Sequence, residues 1–154
     1  MHSQKGSTKE ALSHTVYLAQ TDTTVGFISQ DADRLTAIKK RPPHKPYIKA
    51  INTLDTLKRF SRIPSVHKNR LRRASRSTFI LPSGHSYRVI RDEAHLKLIS
   101  QLQWAYSTSA NHSGKRYDET WARAVADEVI EPLNGESRPS AIYKINNKTI
   151  KKIR

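Results

Sequence analysis

The sequence predicts a single α/β domain, a twisted, mixed and largely open sheet flanked by helices. Three observations lead to that class. The 154 residues suit one domain, which at this size buries roughly 70% of the surface of its unfolded chain. β-rich runs and helical patterns alternate irregularly, which indicates a mixed sheet rather than a sandwich or a bundle. No internal repeat and no heptad organises the chain.

The elements follow in order. Residues 1–14 are rich in Ser, Lys and Gly and predict a flexible tail, leaving the domain over 15–154. Thr15 to Ala19 alternates and reads as the first strand, running straight into Thr21-Asp22-Thr23. Asp33 is expected to cap a helix from Arg34 to Lys40, with Leu35 and Ile38 inward. Pro42 and Pro43 end it, so Lys39 to Lys45 is read as a helix end and an exposed basic loop. Tyr47 to Ile51 reads as a strand. Thr53 caps a helix through Phe60, and Val66 to Arg73 forms another. Thr78 to Leu81 and Tyr87 to Ile90 are strands around a Ser83-Gly84 turn. Glu93 to Gln103 carries Leu96, Ile99 and Leu102 at helical spacing. Trp104 to Ser107 is a strand leading into Thr108-Ser109-Ala110-Asn111. Asp118 caps a helix to Ile130, with Trp121, Val125 and Val129 along one stripe. Ala141 to Ile145 and Thr149 to Ile153 form a terminal hairpin. Its turn, Asn146-Asn147, suits the positive φ that asparagine tolerates.

Composition removes several function classes. The chain has no cysteine, which excludes disulfides, thiolate zinc sites and a cysteine nucleophile. No apolar run approaches the roughly 20 residues that span a bilayer, and residues 1–14 lack the apolar centre of a secretory signal. A soluble, cytoplasmic protein is expected. The seven histidines show no paired metal-ligand spacing, so no metal site is expected. Phosphate-loop and nucleophile-elbow patterns are missing as well.

The net charge is +15. Between Thr36 and Arg91 fifteen Lys and Arg accompany one acid, Asp55. Such a field draws polyanions, and the sheet is expected to carry a basic concave groove.

Three segments hold candidate chemistry. The hydroxyls of Thr21 and Thr23 at a strand end can bond a small zwitterion or a ribose, or cap a turn. Lys39 and Arg41 at a helix end can clamp phosphates, or simply favour the helix dipole. Ser109, Asn111 and Ser113 offer donors and acceptors beside Gly114, where backbone can approach closely.

In this order the segments resemble the YrdC-like family of threonylcarbamoyl-adenylate synthases. Thr108 to Gly114 reproduces the family's Thr-Ser-Ala-Asn-x-Ser-Gly. Gln20 to Phe27 resembles its Pro-Thr-Asp-Thr-x-Tyr-Gly-Leu, and Lys39-x-Arg41 with Lys45-Pro46 resembles its Lys-x-Arg and Lys-Pro. Pro139 to Ile142 resembles the closing Pro-Ser-Thr-Ile, and Arg154 sits near the family's final arginine. The resemblance implies that the chain joins ATP, L-threonine and bicarbonate into threonylcarbamoyl-AMP and pyrophosphate, with Mg2+ carried on the ATP phosphates. A partner threonylcarbamoyl transferase complex then modifies adenosine 37 of tRNA. It further implies that Lys39 and Arg41 are catalytic, and that Thr21, Thr23, Thr78, Arg88, Ser109, Asn111, Ser113 and Ser140 bind substrate. Arg91 competes with Arg88 for one role. Affinity for double-stranded RNA is implied too, and Lys58, Arg59, Arg70, Arg72, Arg73 and Arg76 suit its phosphates. Alternatives are a non-catalytic RNA-binding module and a degenerate paralogue. Gln20 and Val25 replace the family's Pro and Tyr on the wall it uses for its amino acid, so a looser threonine pocket is expected.

Overall fold

The computed structural model describes residues 12–135 and 138–154. Of the expected tail, residues 1–11 lie outside the described residues. Residues 12–14 are helical, and Leu12 packs against the core.

One mixed nine-stranded sheet carries the chain. Its strands are β1 (Tyr17–Gln20), β2 (Val25–Ser29), β3 (Ile48–Ile51), β4 (Ser77–Ile80), β5 (Ser86–Val89), β6 (Trp104–Ser109), β7 (Glu128–Ile130), β8 (Ala141–Ile145) and β9 (Ile150–Lys152). Among the described residues, five α-helices lie between the strands: α1 (Ala32–Lys39), α2 (Leu54–Lys58), α3 (Lys68–Arg73), α4 (Glu93–Leu102) and α5 (Glu119–Val125). The spatial order is β7-β1-β2-β6-β3-β5-β4-β8-β9. Pairs β1–β7, β3–β5 and β4–β8 are parallel and the rest antiparallel. Strand β6 alone bridges β2 and β3.

Successive strand residues face opposite sides, and the core divides accordingly. Tyr17, Ala19, Ile28, Ala50 and Ala105 meet Leu98, Ile99 and Leu102 of α4 on one face. On the other face, Ile51, Phe79 and Tyr87 meet Leu54 and Leu57 of α2 and Leu71 of α3. Leu18, Val25 and Phe27 meet Leu35 of α1 and Ala122 of α5 there as well. Helix α4 is too short to cover its face. Beyond it the same strand alternation leaves Gly26, Ile48, Arg88, Ser107 and Ser109 uncovered by helix.

Several elements differ from expectation. Asp31, not Asp33, caps α1: its backbone is extended and its carboxylate accepts from the Arg34 N–H at 3.1 Å. Strand β2 was not anticipated. The helix from Thr53 is short, ending at Lys58, and the next begins as a 3-10 turn at Ser65–His67. The last helix stops at Val125 instead of Ile130. Ala126 turns extended, and Asp127 captures the Val16 N–H at 2.8 Å, which seats β7 beside β1. The terminal turn does not use positive φ. Instead the Asn146 side chain accepts from the Lys148 and Thr149 N–H groups at 2.8 and 2.7 Å.

Candidate functional site

The uncovered part of the α4 face is a cavity of about 250 Å3. Thr21, Thr23, Thr24 and Gly26 form one wall, Ser107, Thr108 and Ser109 a second, and Ser140 and Arg154 a third. The cations lining it are Arg41, Arg88 and Arg154. Two further hollows adjoin it. One hollow shares Thr24 and Ser109 and includes Asn111, Lys115 and Tyr117. Another shares Thr21 and Thr23 and includes Asp22, Arg76 and Asn134.

The strands dictate these positions. Gly26 pairs with Ser109, and a Cβ there would stand 3.0 Å from the Thr108 carbonyl and 3.1 Å from the Thr21 methyl. Only glycine lets β2 and β6 close at this wall. The Thr21 hydroxyl organises the β1–β2 turn: it donates to the Thr24 carbonyl at 2.6 Å and accepts from the Thr23 and Thr24 N–H groups.

Arg88 is 5% exposed. Its Nη2 lies 3.2 Å from the Asp22 carboxylate and its Nη1 donates to the Thr23 hydroxyl at 3.4 Å. Burial presses the Arg88 guanidinium down, Asp22 raises it, and the charge of Arg154 presses it down again. Burial alone would raise the Asp22 carboxyl, but His95 and Arg88 together hold it below the ordinary aspartate range. Arg154 donates Nε and Nη2 to the Ser140 carbonyl at 3.0 and 2.9 Å. Arg41 lies 4.4 Å over the Tyr47 ring and donates to the Pro46 carbonyl at 2.6 Å. Its Nη1 reaches the Thr108 hydroxyl at 3.4 Å, and its Nε is buried without a hydrogen bond.

Lys39 was expected in an exposed loop but is 3% exposed. It stands behind the wall, donating to the Ser109 carbonyl at 2.6 Å and the Asn111 Oδ1 at 3.2 Å. Burial, then Arg41 and Lys45, lower its pKa to about 8. Asn111 also accepts from the Ser109 hydroxyl and donates to the His112 and Lys115 carbonyls.

The structure therefore brings Thr21, Thr23, Arg41, Arg88, Ser109 and Ser140 to one cavity. Lys39 and Asn111 buttress it from behind. Thr78 is buried beneath it, sharing a 2.8 Å hydrogen bond with the Ser140 hydroxyl. Ser113 is exposed and enters only through its N–H, which donates to the Lys39 carbonyl. Arg91 is not at the site; it bonds the Arg72 carbonyl elsewhere. Gln20 and Val25 do not line that cavity but border the two adjoining hollows. Gln20 holds the Asn134 N–H at 2.7 Å and the Gly135 carbonyl at 3.3 Å, while Val25 packs in the core. Lys58, Arg59, Arg70, Arg72 and Arg73 are exposed on α2 and α3 or just beyond, away from the cavity, and Arg76 borders the Thr21–Asn134 hollow. Sequence reasoning placed Asp22 and Thr108 within the candidate motifs without giving either a role, and it missed Tyr47. Arg154 had a signal, its place at the family's final arginine, but no role.

The same arrangement of strands recurs in solved structures. P. abyssi Sua5 complexed with L-threonine superposes with TM-score 0.79 over 98% of this chain, at 21% identity. Its fold is YrdC-like. This chain spans 52% of that Sua5 chain. MTH1692 from Methanobacterium thermoautotrophicum is 25% identical, with TM-score 0.67 over 99% of this chain and 84% of its own. Among curated proteins, an uncharacterized MG259 homolog of Mycoplasma pneumoniae is 28% identical over 139 residues, 84% of this chain but only 30% of that protein. No family model matches.

Proposed function

We propose that this chain is an L-threonylcarbamoyladenylate synthase. The observation that carries the reading is the convergence of Arg41, Arg88 and Arg154 on a hydroxyl-lined cavity, with Asp22 as the carboxylate paired to Arg88. Three guanidiniums against one carboxylate leave a site that wants a polyanion. The threonine-bound Sua5 with this fold supports an amino acid as second substrate, and the Thr21 and Thr23 wall offers it polar partners.

In the proposed reaction the threonine amine attacks CO2, derived from bicarbonate, and loses a proton to become a carbamate. A carbamate oxygen attacks the α-phosphorus of ATP, and the bond to the β-phosphate oxygen breaks to release pyrophosphate. Charge accumulates on phosphate oxygens, so preorganised cations supply the stabilisation. Arg41 meets that charge directly. Lys39 fixes the Ser109–Asn111 segment and adds its charge through the wall. Among the described residues no three His, Asp or Glu cluster as metal ligands; Mg2+ would enter on the ATP phosphates. The product would pass to a threonylcarbamoyl transferase acting on tRNA.

A second reading is a non-catalytic RNA-binding module. The cationic surface of α3 favours it. Pyrophosphate release separates the two: it should require ATP, bicarbonate and L-threonine together. Release without threonine, or none at high protein concentration, rejects the synthase.

A further inference from the structure

His95 is the least expected residue near the cavity. It sits in the first turn of α4, where its N–H is held by the Asp92 cap at 3.0 Å. Its side chain is 0% exposed, yet neither ring nitrogen has a hydrogen-bond partner. Burying an unsatisfied imidazole costs stability that a leucine would not. The other buried side chains of α4 are Leu98, Ile99 and Leu102, so packing alone gives no reason for a histidine. Its Nδ1 lies 3.8 Å from Asp22 Oδ1, within ion-pair reach, and that oxygen too has no hydrogen-bond partner. The same oxygen faces Arg88 Nη2 at 3.2 Å. Arg88 then reaches the Thr23 hydroxyl and lines the cavity. These four side chains form a buried line from helix α4 to the cavity wall.

We propose that His95 is a positioning residue: it donates its Nδ1–H to Asp22 and so fixes the plane in which Arg88 meets an anion. A carboxylate held at one point can swing; held between an imidazole and a guanidinium it cannot. Arg88 carries the like charge of Arg154 beside it, so without that restraint it has an electrostatic reason to turn away. Helix α4 thereby acts on the cavity of Arg88 without lining it. Only the identity of the anion rests on the synthase reading.

Two measurements on the full chain decide this. In the ligand-free protein, long-range 1H–15N spectra should show His95 protonated at Nδ1, with that signal displaced in Asp22→Asn. Pyrophosphate titrations should then show His95→Leu binding about tenfold more weakly, His95→Asn recovering most of the loss because its amide can donate from the Nδ1 position, and His95→Leu adding nothing in an Arg88→Ala background. An Nδ1 without a proton overturns the proposal, as does an equal loss from His95→Leu with and without Arg88. Wild-type protein that ignores pyrophosphate rejects the synthase reading instead, while the ligand-free spectra still decide the link.

Discussion

At the scale of single residues, charge and burial make separable predictions around Lys39. Its pKa of about 8 lies below that of an unfolded lysine. Between the two values the unfolded chain binds the extra proton, so stability should rise with pH through that window. Activity should run the other way. If the ammonium serves the reaction, pyrophosphate release falls as pH climbs past about 8. Lys39→Arg cannot lose its proton, so the basic limb of its pH–rate profile should vanish whatever its absolute rate. Lys39→Ala and Arg41→Ala should each cut ATP turnover tenfold or more, since charge-assisted contacts are worth about 1.5–3 kcal/mol. Lys40, exposed at the left-handed end of α1 with φ 53°, should be dispensable. Lys40→Gly should instead stabilise the fold by about 1 kcal/mol in urea unfolding. Among these residues the serines, threonines and basic pair were legible because local motifs carried them. The Asp22–Arg88–His95 line was not, since its members lie on three separate elements and meet only through the tertiary fold.

At the scale of elements, β2 and β7 show where local pattern runs out. Val25–Ser29 is buried at every position, so it lacks the alternation that marks a half-exposed strand. The stripe Trp121, Val125 and Val129 continues helical spacing past the true end of α5, because Val129 packs on the same cluster as a strand residue. A three-residue strand has no signature of its own; pairing with β1 creates it. Gln20 borders the hollow it shares with Thr21 and Thr23, and it also anchors a neighbouring segment. Its replacement with proline has a structural cost. It removes two hydrogen bonds to the 134–135 segment, which at about 1 kcal/mol each should lower the urea midpoint and speed amide exchange in that segment. Gly26→Ala should be worse for the site than its one methyl suggests. The contact at 3.0 Å is backbone, so β2 must part from β6 at the cavity wall. Pyrophosphate binding should weaken even where the protein remains folded.

Across the whole molecule, charge is sorted along the sheet. Residues 56–91 contain ten Lys and Arg and residues 138–154 six, with no acid in either stretch. They build β4, β5, β8, β9 and α3, which lie together at one end of the strand order. Composition revealed the excess charge; only the topology shows that two distant stretches pool it. Double-stranded RNA binding should therefore fall steeply with salt. The triple change Arg70→Ala, Arg72→Ala and Arg73→Ala should flatten that dependence while sparing pyrophosphate release, and unchanged RNA affinity would remove α3 from the interface. The bridging place of β6 has a temporal consequence. On a ribosome β1 and β2 emerge early and β3, β4 and β5 follow, but β2 and β3 have no shared neighbour until residues 104–109 are made. Two half-sheets must wait with open edges, each a template for wrong pairing. The strand that finally joins them carries Thr108 and Ser109. A nascent chain halted before it should be retained by chaperones, and the cavity should be among the last features of the protein to exist.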